Sequence, residues 1–265
     1  MEKVTSADGT TIAFERSGTG PALILIGGAF NDRSTTAGVR AGLADVATGY
    51  SYDRRGRGDS DDRSEPGTFP LEREIDDLAA LIAHAGGEAA LFGHSSGATL
   101  ALNAVAHGLP VTRVAVYEPP YVAAGVFDPS PAERAKRMRE LVAEDRRDDA
   151  VTLFMTGAGM PAEAVADLRK SPAWPGLAAL AHSLPYDVGM FEADATFPAA
   201  TAAAIGVPTL VLNGTASGPF LIGGARSVAA AVEGAEHVEI EGEDHAILRR
   251  PEILVPILAR FLTKG

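Results

Sequence analysis

Ser95 stands at the centre of Gly93-His94-Ser95-Ser96-Gly97, a G-x-S-x-G pattern that sets a hydroxyl between two residues without side chains. A serine hydroxyl attacks a carbonyl only when a base takes its proton and fixed N–H donors receive the oxyanion that forms. The chemistry to look for is therefore acyl transfer. The run Ala89-Ala90-Leu91-Phe92 before the pattern reads as a buried strand, and Ser96 to Ala106 after it reads as a helix rich in alanine and leucine. In that context the pattern is a strand–turn–helix elbow. Side chains at the glycine positions would collide with so tight a turn, and the helix behind it aims its N–H groups at developing negative charge. The spacing centres Ser95 and not Ser96, whose backbone N–H is left to serve the oxyanion.

The elements that must hold this elbow follow from hydrophobic patterning. Val4 to Ala7 and Thr11 to Phe14 read as a hairpin around the turn pair Asp8-Gly9. Ala22-Leu23-Ile24-Leu25-Ile26 is apolar on both faces, as a strand inside a parallel sheet must be, and runs into Gly27-Gly28-Ala29-Phe30. Short strands are expected at Gly49 to Asp53, Val114 to Tyr117, Pro208 to Leu212 and His237 to Ile240. Helices are expected at Leu71 to His84, Ser227 to Val232 and Pro251 to Leu262. Strands alternating with helices predict an α/β fold with a doubly wound, mostly parallel sheet. Between these core segments, Pro131 to Glu144, Asp148 to Thr156, Pro161 to Lys170 and Leu177 to Ser183 read as helices with no strand among them. The expected organisation is one domain over residues 1–265, with core segments 1–127 and 198–265 and a helical lid over about 128–197.

With these residues in view, the chain resembles the α/β-hydrolase superfamily over essentially its whole length. Gly27-Gly28-Ala29-Phe30 falls where that family has its His-Gly-x-x oxyanion loop, with Gly27 replacing the usual histidine. The resemblance makes the Ala29 N–H the second oxyanion donor beside that of Ser96, and sets Phe30 against the substrate. The stretch Asp53-Arg54-Arg55-Gly56-Arg57-Gly58-Asp59-Ser60 is similar to the family's D-x-R-G-x-G-x-S turn. Its Arg57-Gly58-Asp59 triplet is read as structural and not as an adhesion signal.

Of the six histidines, His245 follows the last strand on the loop Glu241-Gly242-Glu243-Asp244. That is where the chain order nucleophile, acid, histidine places the base. His84 and His107 sit near helix ends, His237 opens a strand, His182 lies in the lid, and His94 is expected to point away from the hydroxyl and pack. The acid departs from the usual pattern. Most of the family carries it after the strand represented by Pro208 to Leu212, but here that loop reads Asn213 to Pro219 without a carboxylate, and Ser217 holds the usual aspartate position. Some branches carry the acid after the preceding core strand instead, and Glu118 caps that strand here. Its Glu-x-Pro element and the Gly-x-Ser-Ser-Gly elbow resemble the zearalenone-type lactonases. Asp244, Asp128 and Asp194 rank behind Glu118.

A serine nucleophile excludes the dehalogenase and epoxide hydrolase chemistries of this fold, which attack with a carboxylate. The resemblance then implies a carboxylic-ester or lactone hydrolase needing no metal or organic cofactor. A cofactor-free perhydrolase or haloperoxidase-like enzyme stays open, as does a slow-turnover receptor with a disabled triad. Trp174, flanked by Pro172 and Pro175 in the lid, is expected to bind substrate with apolar neighbours, which suits a hydrophobic small molecule. A net charge of −12 argues against nucleic acid or an anionic membrane surface as partner. The absence of cysteine excludes disulfides and thiolate metal sites. With no signal-like start and no long apolar run, a cytoplasmic location is the expectation.

Overall fold

The computed structural model describes residues 1–65, 67–122, 130–191 and 195–264. Its frame is an eight-stranded sheet in the order β1-β2-β4-β3-β5-β6-β7-β8. β1 (Glu2–Thr5) and β2 (Thr11–Ser17) form the expected hairpin; the Asp8 carboxylate accepts the Thr10 N–H at 2.9 Å across its turn. β3 (Ala22–Ile26), β4 (Thr48–Tyr52), β5 (Ala89–His94), β6 (Val111–Tyr117), β7 (Thr209–Gly214) and β8 (Glu236–Ile240) are parallel, and β2 pairs antiparallel with β4.

In chain order the helices are α1 (Ala37–Gly42), α2 (Leu71–His84), α3 (Ser96–Ala106), α4 (Pro131–Ala143), α5 (Arg147–Gly157), α6 (Ala162–Leu168), α7 (Trp174–Ala179), α8 (Leu184–Gly189), α9 (Ala199–Ala204), α10 (Pro219–Ala231) and α11 (Pro251–Thr263). Leu23 and Leu25 of β3 pack on one face of the sheet with Val39 of α1 and Leu254 and Leu258 of α11. Ile24 and Ile26 pack on the other, with residues of α2, α3, α9 and α10. The period of two in a strand assigns alternate side chains to opposite faces, so a strand covered by helices on both sides must be apolar throughout.

Helices α4 to α8 intervene between β6 and β7, as the change of rhythm in the sequence predicts. They bury a cluster of their own around Met138, Leu141, Val151, Val165, Trp174 and Leu184. The expected start of this insertion at about residue 128, and with it Asp128, lies outside the described residues, as does Asp194, while its expected end at 197 falls just before α9.

Chain order sets where a site can form. From β3 the chain moves outward to β4, then returns to lay β5 on the other side of β3. The loops after β3 and β5 therefore diverge above adjacent strands, and the crevice at such a switch point is where ligands bind in open α/β sheets. Those two loops are Gly27 to Phe30 and the Ser95 elbow.

Candidate active site

Ser95 connects β5 to α3 with φ 57° and ψ −126°, a conformation that side-chain-bearing residues rarely adopt. The glycines around it are a steric requirement. A Cβ on Gly93 would lie 2.3 Å from the Gly97 carbonyl oxygen, and one on Gly97 would lie 2.4 Å from that of Ile26. The Ser95 N–H donates to the Tyr117 carbonyl at 2.9 Å, tying the elbow to the end of β6.

One residue beyond Tyr117, Glu118 leaves β6 with φ 49° and is fully buried. Its Oε2 accepts the His245 Nδ1–H at 2.5 Å. Its Oε1 accepts the Gly214 N–H at 2.9 Å and the Ser217 hydroxyl at 2.5 Å. The Ser217 hydroxyl, from the loop after β7, thus holds a carboxylate delivered from the neighbouring strand. Asp244 is turned elsewhere: its carboxylate accepts the Ala246 N–H at 2.8 Å, and its carbonyl accepts the Tyr117 hydroxyl at 2.7 Å.

His245 and Ser95 open onto one cavity of about 520 Å³. Among the described residues the Ser95 hydroxyl makes no hydrogen bond to His245. Distances of this kind commonly tighten only around bound substrate. Ala29, Phe30 and Ser96 line the same cavity. Neither the Ala29 nor the Ser96 N–H donates to another protein group among the described residues. The loop comes so close that a Cβ on Gly28 would lie 2.8 Å from Ser95 Cβ. Phe30 packs edge-on against Phe154 of α5, ring centroids 5.2 Å apart.

His94 departs from expectation. It does not merely pack behind the elbow: it lines the cavity, its ring lies 4.6 Å from that of His245, and its Nε2–H donates to the His245 carbonyl at 2.9 Å. Burial, then the neighbouring His245, lowers its pKa to about 3, so the ring is neutral. His182, expected in the lid, reaches the Gly56 carbonyl at 2.6 Å and is not in the cavity wall.

Trp174 requires a correction. It is 5% exposed inside the insertion's own core, donates its indole N–H to Asp148 at 2.8 Å and packs under Arg169. It does not line the cavity. The Pro-flanked position opens helix α7 instead of presenting the ring to a ligand, because its apolar body has Met138 and Leu141 to bury against. The wall is built from Phe154, Met155, Met160, Phe191, Phe220 and Leu221. Phe220 and Leu221 open α10, behind a glycine-rich loop that carries no apolar run to draw notice.

The turn after β4 holds what sequence reasoning missed. Arg54, Arg55 and Arg57 are all buried, so the guanidinium of the Arg57-Gly58-Asp59 triplet is turned inward, in keeping with its structural reading. Arg54 forks onto Glu74 with both bonds at 2.6 Å, and Arg55 forks onto Asp77 at 2.8 and 2.6 Å. Asp187 of α8 accepts from Arg54 at 2.8 Å, from Arg57 at 2.8 Å and from the Ser96 hydroxyl at 2.6 Å. Burial alone would raise the Asp187 carboxyl, but Arg57, Arg54 and Ser96 hold it below the usual carboxylate range.

The sequence profile of the alpha/beta hydrolase family matches residues 23–257. An alpha/beta hydrolase from Sphaerobacter thermophilus is 46% identical, with a TM-score of 0.89, over 99% of this chain and 100% of that one. An esterase from Rhodococcus is 20% identical, with a TM-score of 0.69, over 99% and 98% of the two chains. An enol-lactonase from Burkholderia xenovorans is 22% identical, with a TM-score of 0.67, over 99% and 100%. No curated protein matches the sequence.

Proposed function

The chain belongs to the α/β-hydrolase family, and we propose that it is a serine hydrolase cleaving a carboxylic ester or lactone of a hydrophobic small molecule through an acyl-enzyme. The observation that carries this reading is the bond from His245 Nδ1–H to the buried Glu118 carboxylate. It fixes the tautomer that leaves the Nε2 lone pair free and gives the imidazolium a counter-charge once it forms. Ser95 Oγ then attacks the carbonyl carbon as His245 takes its proton, and the oxyanion accepts the N–H groups of Ala29 and Ser96. His245 returns the proton to the departing alkoxide. Water, deprotonated by His245, cleaves the acyl-enzyme and releases the acid.

The wall of aromatic and thioether side chains around Ser95 favours an apolar substrate, and the esterase and enol-lactonase of the same fold fit that reaction class. A slow-turnover receptor was suggested by the loop without a carboxylate. It loses that motive because Glu118 meets His245 from the adjacent strand. Ser95→Ala should abolish hydrolysis across a panel of esters and lactones, and labelling by a fluorophosphonate probe, with the melting temperature nearly unchanged. Hydrolysis surviving in this variant would overturn the reading.

A further inference from the structure

A peptide unit is planar, so holding its carbonyl also aims its N–H. The Gly28 carbonyl and the Ala29 N–H share one such unit and, in the trans form, point in opposite directions. Arg57 Nη1 donates to the Gly28 carbonyl at 3.0 Å. The Asn31 N–H reaches the same oxygen at 3.4 Å as the loop turns, and Arg54 Nη1 reaches the Gly27 carbonyl at 3.4 Å. Arg57 thus holds the carbonyl side of the Gly28–Ala29 plane, whose N–H is an oxyanion donor in the reading above, and Arg54 holds the plane before it. Arg57 is in turn fixed by the Ser183 hydroxyl at 3.1 Å and by Asp187 Oδ2 at 2.8 Å. The other oxygen of Asp187 takes the Ser96 hydroxyl at 2.6 Å, on the first residue of α3, whose N–H is the other oxyanion donor in the reading above.

We propose that Asp187, acting through Arg57 and Ser96, is the positioning residue of the oxyanion site, so that docking of helix α8 aligns both oxyanion donors. This rests on the acyl-enzyme reading above. One carboxylate spans both donors: its Oδ2 governs the Gly28–Ala29 plane and its Oδ1 governs the start of α3. Because Asp187 and Ser183 both belong to the insertion between β6 and β7, the catalytic geometry is complete only when that insertion is seated on the core. The Arg57 guanidinium suits the task because its planar fork presents several donors in fixed directions, whereas an ammonium is a single rotatable point.

The test separates aim from stability. Arg57→Met keeps most of the side-chain length and removes the donors. Per site labelled to completion by a fluorophosphonate, its kcat for a butyrate ester should fall about 10- to 100-fold, less than the roughly 10²–10³ for deleting an oxyanion donor outright. KM should stay within about threefold, since ground-state binding uses the apolar wall. An alkylboronic acid, which forms a tetrahedral adduct on the serine, should lose affinity by a similar factor. The pH midpoint of kcat/KM should not move, because the His245–Glu118 pair is untouched. Should Arg57→Met fail to fold, Ser96→Ala removes the hydroxyl bonded to Asp187 and Arg54, Ser183→Ala removes the one bonded to Arg57 and the Leu180 carbonyl, and both leave every charge in place. Each should then cost about 3- to 10-fold in kcat and in boronate affinity. A lowered melting temperature with kcat per labelled site within about twofold of the parent, in whichever variants fold, would overturn the proposal and leave the network a scaffold. Activity surviving in Ser95→Ala would instead remove the premise itself.

Discussion

A carboxylate that accepts three hydrogen bonds at full burial has little freedom to turn, and Glu118 is held in this way. Glu118→Gln conserves the volume but not the pattern of acceptors. If the amide oxygen faces His245, the NH₂ group meets the Gly214 N–H, donor against donor. If it flips, the NH₂ meets the Nδ1–H and drives the imidazole to the wrong tautomer. By analogy with replacement of a triad aspartate, kcat should fall by up to about 10⁴-fold. Ser217→Ala leaves Gly214 and His245 on the carboxylate and should cost about tenfold or less, since one decade corresponds to ~1.4 kcal/mol. Asp244→Asn keeps an acceptor for the Ala246 N–H and should stay within about threefold. Rates measured at saturating substrate for the three variants check the order. A Glu118→Gln rate close to that of Asp244→Asn would show that the buried carboxylate does not serve the histidine.

Among the elements, the insertion between β6 and β7 has two distinct faces. Phe154, Met155 and Met160 face the cavity, while Trp174, Met138 and Leu141 form a core behind them. Trp174→Ala should therefore slow a bulky ester and an acetate ester alike. It should also lower stability by about 3–5 kcal/mol, the usual cost of deleting a buried aromatic side chain. Hydrogen exchange over α5 and α7 would show the loss as local opening, and selective damage to the bulky ester alone would return Trp174 to the substrate. The strands, the elbow and most of the larger helices were legible because burial on one or two faces writes a period of two or 3.6 into the chain, but α10 was expected only from Ser227 although it begins at Pro219. Helices α1 and α9 leave no such trace, being six residues each, α9 almost all alanine. The ion network was hidden for another reason. Arg54 and Asp187 lie 133 positions apart, and nothing in a Gly-rich turn with three arginines names the carboxylates that pair with them. Glu118 was legible through resemblance and through the gap in the loop after β7, whereas the service of Ser217 to it was not.

At the scale of the whole molecule, the site's charge state and the stability of the fold are linked through His94. Its Nε2–H is committed to the His245 carbonyl, and Nδ1 is buried with no partner among the described residues. Protonating Nδ1 would therefore place an unpaired cation beside His245. Burial first, and then His245, lowers the His94 pKa to about 3 in the fold, against an ordinary value of about 6.5 in the unfolded chain. Between those values the unfolded chain binds a proton that the folded chain does not. Unfolding free energy then rises with pH, by up to about 1.4 kcal/mol per unit. The contribution is complete above about pH 6.5 and is lost progressively as the solution is acidified toward pH 3. His237, also lowered by burial, adds in the same direction, but it is common to parent and variant and cancels in their comparison. Carboxylates held low by arginines, such as Asp187, act at more acidic pH. Asp77, pushed up to about 6 by burial, titrates inside the window from pH 7.5 to 5.5 with the opposite sign, and it too is common to parent and variant. His94→Gln retains an N–H donor toward the His245 carbonyl and removes the titration. It should be less stable than the parent at pH 7.5, because the ring's contacts with Tyr117 and His245 are lost, yet it should lose less on acidification. Urea midpoints at the two pH values give the comparison directly, provided the slopes stay equal. An equal fall in parent and variant would mean that His94 is not the group whose neutrality the fold enforces.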